Sequence, residues 1–349
     1  MMMKRVAVVL FNLGGPDNLK AVQPFLFNLF NDPAIIRLPN PLRWLVARLI
    51  SNRRALVAKK IYARLGGSSP LLSKTYEQAA ALEEHLMDIG EVRVFIAMRY
   101  WHPMSDETAI AVNHFDPNRI ILLPLYPQFS TTTTGSSLKE WNRAATAVGL
   151  TAPTYGICCF PDDRGWIAAL VQLVRNGIEA ATTSGPPRVL FSAHGLPKKI
   201  VDQGDPYAWQ VELTVAAVVD TLAIDELDWV ICYQSRVGPQ EWIGPSTDDE
   251  IARAGAEVVP VVIVPIAFVS EHSETLVELD IKYRDLAEKN GVPTYVRIPT
   301  VAIHPVFIRG LAERVRAALK HQRALISGKS DGTAICASGF SQCPLKESD

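Results

Sequence analysis

The stretch from Asp32 to Glu77 contains no acidic residue between its ends, while Arg37, Arg43, Arg48, Arg53, Arg54, Lys59, Lys60, Arg64 and Lys74 are all basic. Elsewhere charge is balanced, and the net value of −1 over 349 residues identifies no partner by global electrostatics. Cysteine is scarce. Five residues, an odd number without paired spacing, do not make a secreted disulfide framework. Long apolar runs are missing too: PVVIVPIAFV holds two prolines and falls well short of the about 20 residues a spanning helix needs. MMMKRVAVVLFNLGG becomes strand-like too quickly for a secretory signal, so the expectation is a cytoplasmic protein without a transmembrane anchor.

Nucleotide-binding motifs are absent as well. Asn12-Leu13-Gly14-Gly15-Pro16 follows a strand-like run but lacks the G-x-G-x-x-G spacing. Gly328-Lys329-Ser330 ends like a P-loop, yet Arg323 stands where its first glycine belongs. There is no G-x-S-x-G elbow, no H-E-x-x-H helix and no zinc-finger cysteine spacing.

What is present is a series of short apolar runs, each closed by turn residues: VAVVLFNLGGP, VRVFIAMRYWHP, RIILLPLYPQ, RVLFSAHGLP, DWVICYQSRVGP and VVIVPIAFVSEH. Runs without polar alternation predict strands buried on both faces, as in a parallel sheet covered by helices. Helical patterns at 17–30, 208–222 and 273–289 lie between them, with Asp17 an N-cap candidate. The length and the restart after Thr182-Thr183-Ser184-Gly185-Pro186-Pro187 predict an α/β protein of two doubly wound domains, 1–185 and 186–325, and a Cys-containing tail, 326–349.

In doubly wound sheets ligands bind beyond the carboxyl ends of the strands, and the unusual residues stand there. His194 follows RVLFSA, and Glu274 lies past VVIVPIAFV. Ser270 is placed to cap the helix that follows, and Glu271, Glu274, Glu278 and position 282 would share one face. A histidine with a carboxylate can hold a divalent metal weakly or accept protons near neutral pH. The residues alone leave open a packing role for His194 and a solvated helix face for the acids. The basic segment 33–76, interleaved with Ile35, Ile36, Leu38, Leu42, Trp44, Leu45 and Leu49, suits an anionic membrane surface or a flat ligand bearing carboxylates. An ordinary amphipathic helix pair fits the same pattern, and nucleic acid is not expected.

Six blocks, taken with LFSAHGLPKKIVDQGDPY, resemble the ferrochelatase family in order along nearly the whole chain. They are NLGGP at 12–16, RLGGSSPL at 64–71, AMRYWHP at 97–103, LYPQFSTTTTGSSL at 125–138, CYQSRVGPQEWIGPST at 232–247 and VSEHSETLVELDIKY at 269–283. The resemblance implies two similar Rossmann-like domains around a porphyrin cleft, and insertion of Fe2+ into protoporphyrin IX with release of two protons, the last step of haem biosynthesis. It implies catalytic roles for His194, Glu274 and His272, with His194 and Glu274 also meeting the metal, and an iron or proton path through Glu271 and Glu278. It implies porphyrin contacts at Leu13, Arg54, Tyr62, Ser69, Met98, Arg99, Tyr100, Tyr126 and Trp242, with residues 22–70 as a lip touching the inner face of the cytoplasmic membrane.

Fe2+ is then a substrate and no cofactor is required. Some family members hold a 2Fe–2S cluster, but Thr131 occupies the internal cysteine position of the animal enzymes, leaving Cys158, Cys159, Cys336 and Cys343 as candidate ligands. Lys282 interrupts the acidic file. Coproporphyrin III as substrate, cobalt as metal, and a non-catalytic porphyrin or haem carrier remain alternatives, as do monomer and homodimer.

Overall fold

The computed structural model describes residues 5–321, 323–328 and 332–345; Lys329 and Ser330 of the P-loop-like tripeptide lie outside them. In chain order the elements are β1 (Arg5–Asn12), α1 (Val22–Phe30), α2 (Leu42–Arg64), α3 (Leu71–His85), β2 (Glu91–Met98), α4 (Ser105–Phe115), β3 (Arg119–Pro124), α5 (Thr134–Ala147) and β4 (Thr154–Ile157). There follow α6 (Arg164–Ala181), β5 (Arg188–His194), α7 (Lys198–Asp202), α8 (Tyr207–Leu222), β6 (Trp229–Gln234), α9 (Thr247–Ala256) and β7 (Val261–Pro265). A π-helix (Glu274–Lys282), α10 (Tyr283–Lys289), β8 (Tyr295–Arg297), α11 (Pro305–Lys320) and β9 (Leu325–Ile326) complete the chain.

Two compact units result: Met1–Cys159 with Leu311–Ile335, and Phe160–Gly310 with Cys336–Asp349. Among the described residues the first holds a parallel sheet of order β2-β1-β3-β4-β9, the second one of order β6-β5-β7-β8. The apolar runs of the sequence become these strands because helices cover both faces. Val8, Val9 and Leu10 in β1 and Leu190 and Phe191 in β5 are fully buried. In the first unit Phe11, Trp141, Ile120 and Val112 pack one side; in the second Leu190, Ile263, Leu279 and Tyr283 do the same.

The boundary falls earlier than the Ser/Gly/Pro segment suggests. Helix α6 packs on α8, β7 and β8, and its glycines permit the approach. A Cβ at Gly177 would lie 2.4 Å from Ile298 Cγ2, and one at Gly165 2.6 Å from the Val306 carbonyl oxygen. The Pro-rich turn at 182–187 is thus an αβ loop inside the second unit, which also receives the tail from Cys336 onward. Asp17 caps nothing: α1 starts at Val22, and Asn18 Oδ1 accepts the Lys20 and Ala21 N–H groups instead.

Helix α2 is apolar on two opposite sides. At 100° per residue, Ala47, Ser51, Ala55 and Tyr62 form one side and are buried. Leu42, Leu45, Leu49, Leu56 and Val57 form the other and are exposed, Leu56 by 72%. Tyr62 joins Val22, Phe25, Leu26 and Tyr100 in a core that fastens α1 and α2 to the sheet.

Candidate active site

Both units follow the 2-1-3-4 strand order, whose first strand is flanked on either side by later ones, and the crevice at that reversal is where such sheets bind ligands. In the second unit the reversal lies between β5, β6 and β7. His194 ends β5, paired in register with Gln234 at the end of β6. The next residue must be glycine: a Cβ at Gly195 would sit 2.9 Å from the Gln234 carbonyl oxygen and 3.3 Å from Trp242 Cε3. Trp242 is pinned there by a bridge to Pro197 and by the Ile243 N–H donating to the Leu196 carbonyl at 3.1 Å.

After β7 the chain turns through Ser270 to Ser273 and enters the π-helix at Glu274. This winding has i→i+5 hydrogen bonds, one residue wider than an α-helix, and recurs at functional sites. It keeps Glu274, Glu278 and Lys282 in line, because residues four apart remain neighbours. Glu271 falls outside it. Its carboxylate accepts from Arg297 Nη1 at 2.7 Å and from the Thr300 N–H at 2.9 Å, so burial is outweighed by Arg297 and its pKa is lowered. Arg297 also binds Asp280. Glu271 therefore fastens the loop before the π-helix and does not join the acidic file expected from 100° spacing. Ser270 does not cap this helix; Ser273 holds the N-cap position without a side-chain bond.

The two elements meet at one hydrogen bond. His194 Nδ1–H donates to Glu274 Oε2 at 2.8 Å, which leaves Nε2 as the lone-pair nitrogen of the neutral ring. Gln234 Nε2 and the Ser235 hydroxyl both lie 3.4 Å from the same carboxylate oxygen. Gln234 is oriented in turn by Ser192, whose hydroxyl donates to Gln234 Oε1 at 2.8 Å. The side chains of His194 and Glu274 stay 39% and 24% exposed, enough to meet a ligand. His272 is more enclosed, with Nε2 3.9 Å from Glu274 Oε1 and its ring against Phe268.

Electrostatics separate the two partners. Burial disfavours the imidazolium, but the Glu274 carboxylate, assisted by Glu278, outweighs it and holds the His194 pKa above the usual value. Burial likewise opposes charge on Glu274, yet His194, then His272 and Ser235, pull it down to about 2. Glu278 goes the other way: burial and the Glu274 charge raise it against the pull of Ser235 and Lys282. The pair therefore favours charge on both partners, while burial and the Glu274 charge oppose ionisation of the second carboxyl group behind it.

The residues expected at a porphyrin fall on different ground. Trp242 lies in the second unit beside the His194 turn. Leu13, Tyr62, Met98 and Tyr100 pack in the first unit, where Met98 and Tyr100 are fully buried. Arg99 is tied to Asp32 at 2.8 Å and to Ser136 Oγ at 2.7 Å. Arg54 is exposed with its guanidinium 5.6 Å from the Phe30 ring centroid, and Ser69 is half-buried, its N–H donating to the Pro16 carbonyl. Tyr126 follows β3, its hydroxyl buried and its pKa raised by that burial. Sequence reasoning missed Ser235, Gln234, Asp32 and Arg297. Ser235 was within reach, since Cys-Tyr-Gln-Ser closes a strand as His194 does; the others show their partners only in three dimensions.

The four candidate cysteines divide between the two units. Cys158 and Cys159 are buried in the first unit with Sγ atoms 3.2 Å apart, while Cys336 and Cys343 belong to the second. Among the described residues no group of three or more His, Cys, Asp and Glu side chains is arranged to hold a metal ion. No helix among them is long and apolar enough to cross a membrane.

Comparison with known proteins agrees with this geometry. The solved structure of SirB from Bacillus subtilis with Fe3+ superposes with a TM-score of 0.52 over 91% of this chain and 96% of that chain, at 13% identity. The sirohydrochlorin chelatase SirB from Bacillus subtilis subspecies spizizenii in complex with cobalt gives 0.51. At such identity these likenesses show the fold, that of the chelatases. Sequence relatives are nearer: ferrochelatase of Caulobacter vibrioides is 52% identical over 99% of both chains. That of Pelagibacter ubique is 48% identical over 97% of this chain and 98% of its own, and that of Rickettsia bellii 48% over 99% and 98%. The family profile described as ferrochelatase matches residues 5–319. With the His194–Glu274 pair at the reversal of the second sheet, the chain belongs to the ferrochelatase family.

Proposed function

We propose that this protein inserts Fe2+ into protoporphyrin IX, with His194 and Glu274 as the groups that meet the metal and take the two pyrrole protons. One observation carries the assignment of roles: the 2.8 Å contact of His194 Nδ1 with Glu274 Oε2 at the end of β5. Metallation requires a base for two N–H protons and ligands that release the metal afterwards. A neutral imidazole nitrogen with a charged carboxylate behind it supplies a base near neutral pH. One nitrogen and one carboxylate bind a divalent ion weakly enough to exchange it, whereas a larger set of thiolates and imidazoles would retain it. His272, with Nε2 3.9 Å from Glu274 Oε1, is the third group of this reading and acts on Glu274 by its charge.

The macrocycle contacts of this reading are Trp242 beside His194 and, among the partly exposed residues of the first unit, Leu13, Arg54, Ser69 and Tyr126, with Tyr62 buried behind them. Met98 and Tyr100 shape that surface from beneath, and Arg99 is held for a polar group by Asp32. The outward side of α2, apolar and flanked by Arg43, Arg48, Arg53, Lys59 and Lys60, suits the surface of an anionic bilayer, with lysine and arginine stems lying along it. A cytoplasmic enzyme peripheral to that membrane is the corresponding location.

Anaerobic incubation with Fe2+ and protoporphyrin IX, followed by loss of porphyrin fluorescence, tests the assignment. Wild-type protein should turn over. Binding without metallation would identify a carrier, and faster turnover of coproporphyrin III or of Co2+ would move the substrate assignment.

A further inference from the structure

Two stretches of the sequence take no part in the chemistry above: the end of the histidine block, Gly204-Asp205-Pro206-Tyr207, and the tail from Cys336. In the second unit they meet. The Gln342 N–H donates to the Gly204 carbonyl at 3.2 Å, and the Ser341 hydroxyl to the Gln203 carbonyl at 3.1 Å. The Phe340 ring lies against Trp209, centroids 5.2 Å apart, and Gln210 Nε2 donates to Cys336 Sγ at 3.2 Å. The approach requires glycine at the turn: Gly204 has a φ of +93°, and a Cβ there would stand 2.3 Å from Ser341 Oγ and 2.8 Å from the Ser341 nitrogen. Asp205, fully buried, accepts the Tyr207 N–H at the start of α8 at 3.0 Å. Ser341 and Gln342 are exposed and Phe340 is half-buried, so the ring can be removed without opening a core.

From that turn the hydrogen bonds run back to the site. The Gly204 N–H donates to the Val201 carbonyl and the Ile200 N–H to the Pro197 carbonyl, both at 2.8 Å, so α7 links the turn to Pro197 without a break. Pro197 bridges Trp242, the Lys198 N–H donates to the Glu241 carbonyl at 2.9 Å, and Lys198 Nζ pairs with the Glu241 carboxylate at 3.2 Å. So short a helix has no stability of its own; its place is set by what holds its two ends. One end is the ladder with Glu241 to Ile243, and the other is the tail.

We propose that Phe340 and Ser341 are positioning residues for porphyrin binding: by pinning the turn between α7 and α8 they fix α7 and, through Pro197 and Lys198, the segment that sets Trp242 beside His194. The proposal rests on the reading of Trp242 as a macrocycle contact. The ring pair Phe340–Trp209 supplies the fastening, and the bonds to the Gln203 and Gly204 carbonyls supply its register. Without the ring, α7 opens from its turn end at a lower free energy than the strands it adjoins. Trp242 then has to be ordered as the macrocycle arrives, and that ordering is subtracted from affinity. His194 itself is held by its pairing with Gln234 in β6 and does not depend on α7. The effect therefore falls on binding and spares insertion from the bound complex.

The test is fluorescence titration of the full chain with protoporphyrin IX, with amide hydrogen exchange followed in the same proteins. Phe340→Ala should weaken binding by roughly three- to tenfold, the range that one aromatic pair spans, while single-turnover Fe2+ insertion from the saturated complex keeps its wild-type rate. Exchange should quicken at the Lys198, Ile200 and Gly204 amides and stay unchanged in β5. Trp209→Ala should match this behaviour, and the double variant should bind no more weakly than either single one, since both remove the same pair. Phe340→Tyr, which keeps the ring, should bind as wild type does. Wild-type affinity in Phe340→Ala would overturn the proposal. So would losses that add in the double variant, or a loss that comes with faster exchange throughout β5, since that marks general destabilisation. Wild-type protein that binds no porphyrin would instead remove the reading of Trp242 itself.

Discussion

The two units are built alike and used differently. In each, the first strand is flanked by the second and third, the third strand ends in proline, and a helix follows: Pro124 leads to α5 at Thr134, Pro265 to the π-helix at Glu274. Around that reversal the first unit gathers Asp32, Arg99, Tyr100 and Ser136. Asp32, only 2% exposed, accepts from Arg99, Tyr100 and Ser136, and from the Ala34 N–H. Every oxygen of that carboxylate is engaged, and the negative charge is cancelled where it sits. The second unit places His194 and Glu274 at the same point of the topology but leaves both partly exposed, with protonation states pushed apart. One reversal fastens chain segments; the other holds a hydrogen-bonded histidine and carboxylate that stay partly exposed. The fold offers the location twice; the chemistry follows from which polar groups remain unsatisfied there.

The comparison can be broken most forcefully in the first unit. Asp32→Ala would leave a largely buried guanidinium and two hydroxyls without their acceptor, a loss of about 3–5 kcal/mol for breaking a buried pair. Thermal or urea unfolding should show it as a lowered midpoint, with any activity loss following stability. An Asp32→Ala protein of wild-type stability would mean that this cluster is not structural.

A smaller effect separates the protonation states in the second unit. The His194 pKa is raised, so the neutral imidazole is lost on the way down through a value above the ordinary ~6.5. The acid limb of kcat/KM should lie there. Removing the Glu274 charge by Glu274→Gln lowers the His194 pKa, and the residual activity should keep its acid limb at lower pH. By linkage the stability that Glu274 gives protonated His194 is full below ~6.5 and is lost as pH rises through the folded value. Since the two groups titrate as a pair, one coupling serves both. A limb that stays in place in Glu274→Gln, measured as a pH–rate profile, would assign it elsewhere.

Smallest is the surface of α2. Leu45→Ser with Leu49→Ser should weaken co-sedimentation with anionic vesicles by a few fold, and leave turnover of detergent-dispersed porphyrin unchanged. Undiminished binding to the vesicles would place membrane contact on another face.

Much of this was legible in the sequence. The apolar runs predicted the strands because burial on both faces removes the need for alternation. His194 and Glu274 stood out because strand ends are where such sheets bind. The π-helix was not legible: one additional residue per turn leaves no mark on an apolar pattern, so Glu271 was grouped with acids that it does not join. The boundary at Cys159 was hidden because close packing of α6 through Gly165 and Gly177 looks like any helix in sequence. Asp32 gave no signal in a segment read for its basic residues, and the long-range partners of Ser235 and Arg297 exist only after folding.

The account stands most directly on His194. Single-turnover anaerobic insertion of Fe2+ into bound protoporphyrin IX should slow by at least about 100-fold in His194→Ala, with porphyrin binding retained. A His194→Ala protein that binds porphyrin and inserts iron at the wild-type rate would contradict it.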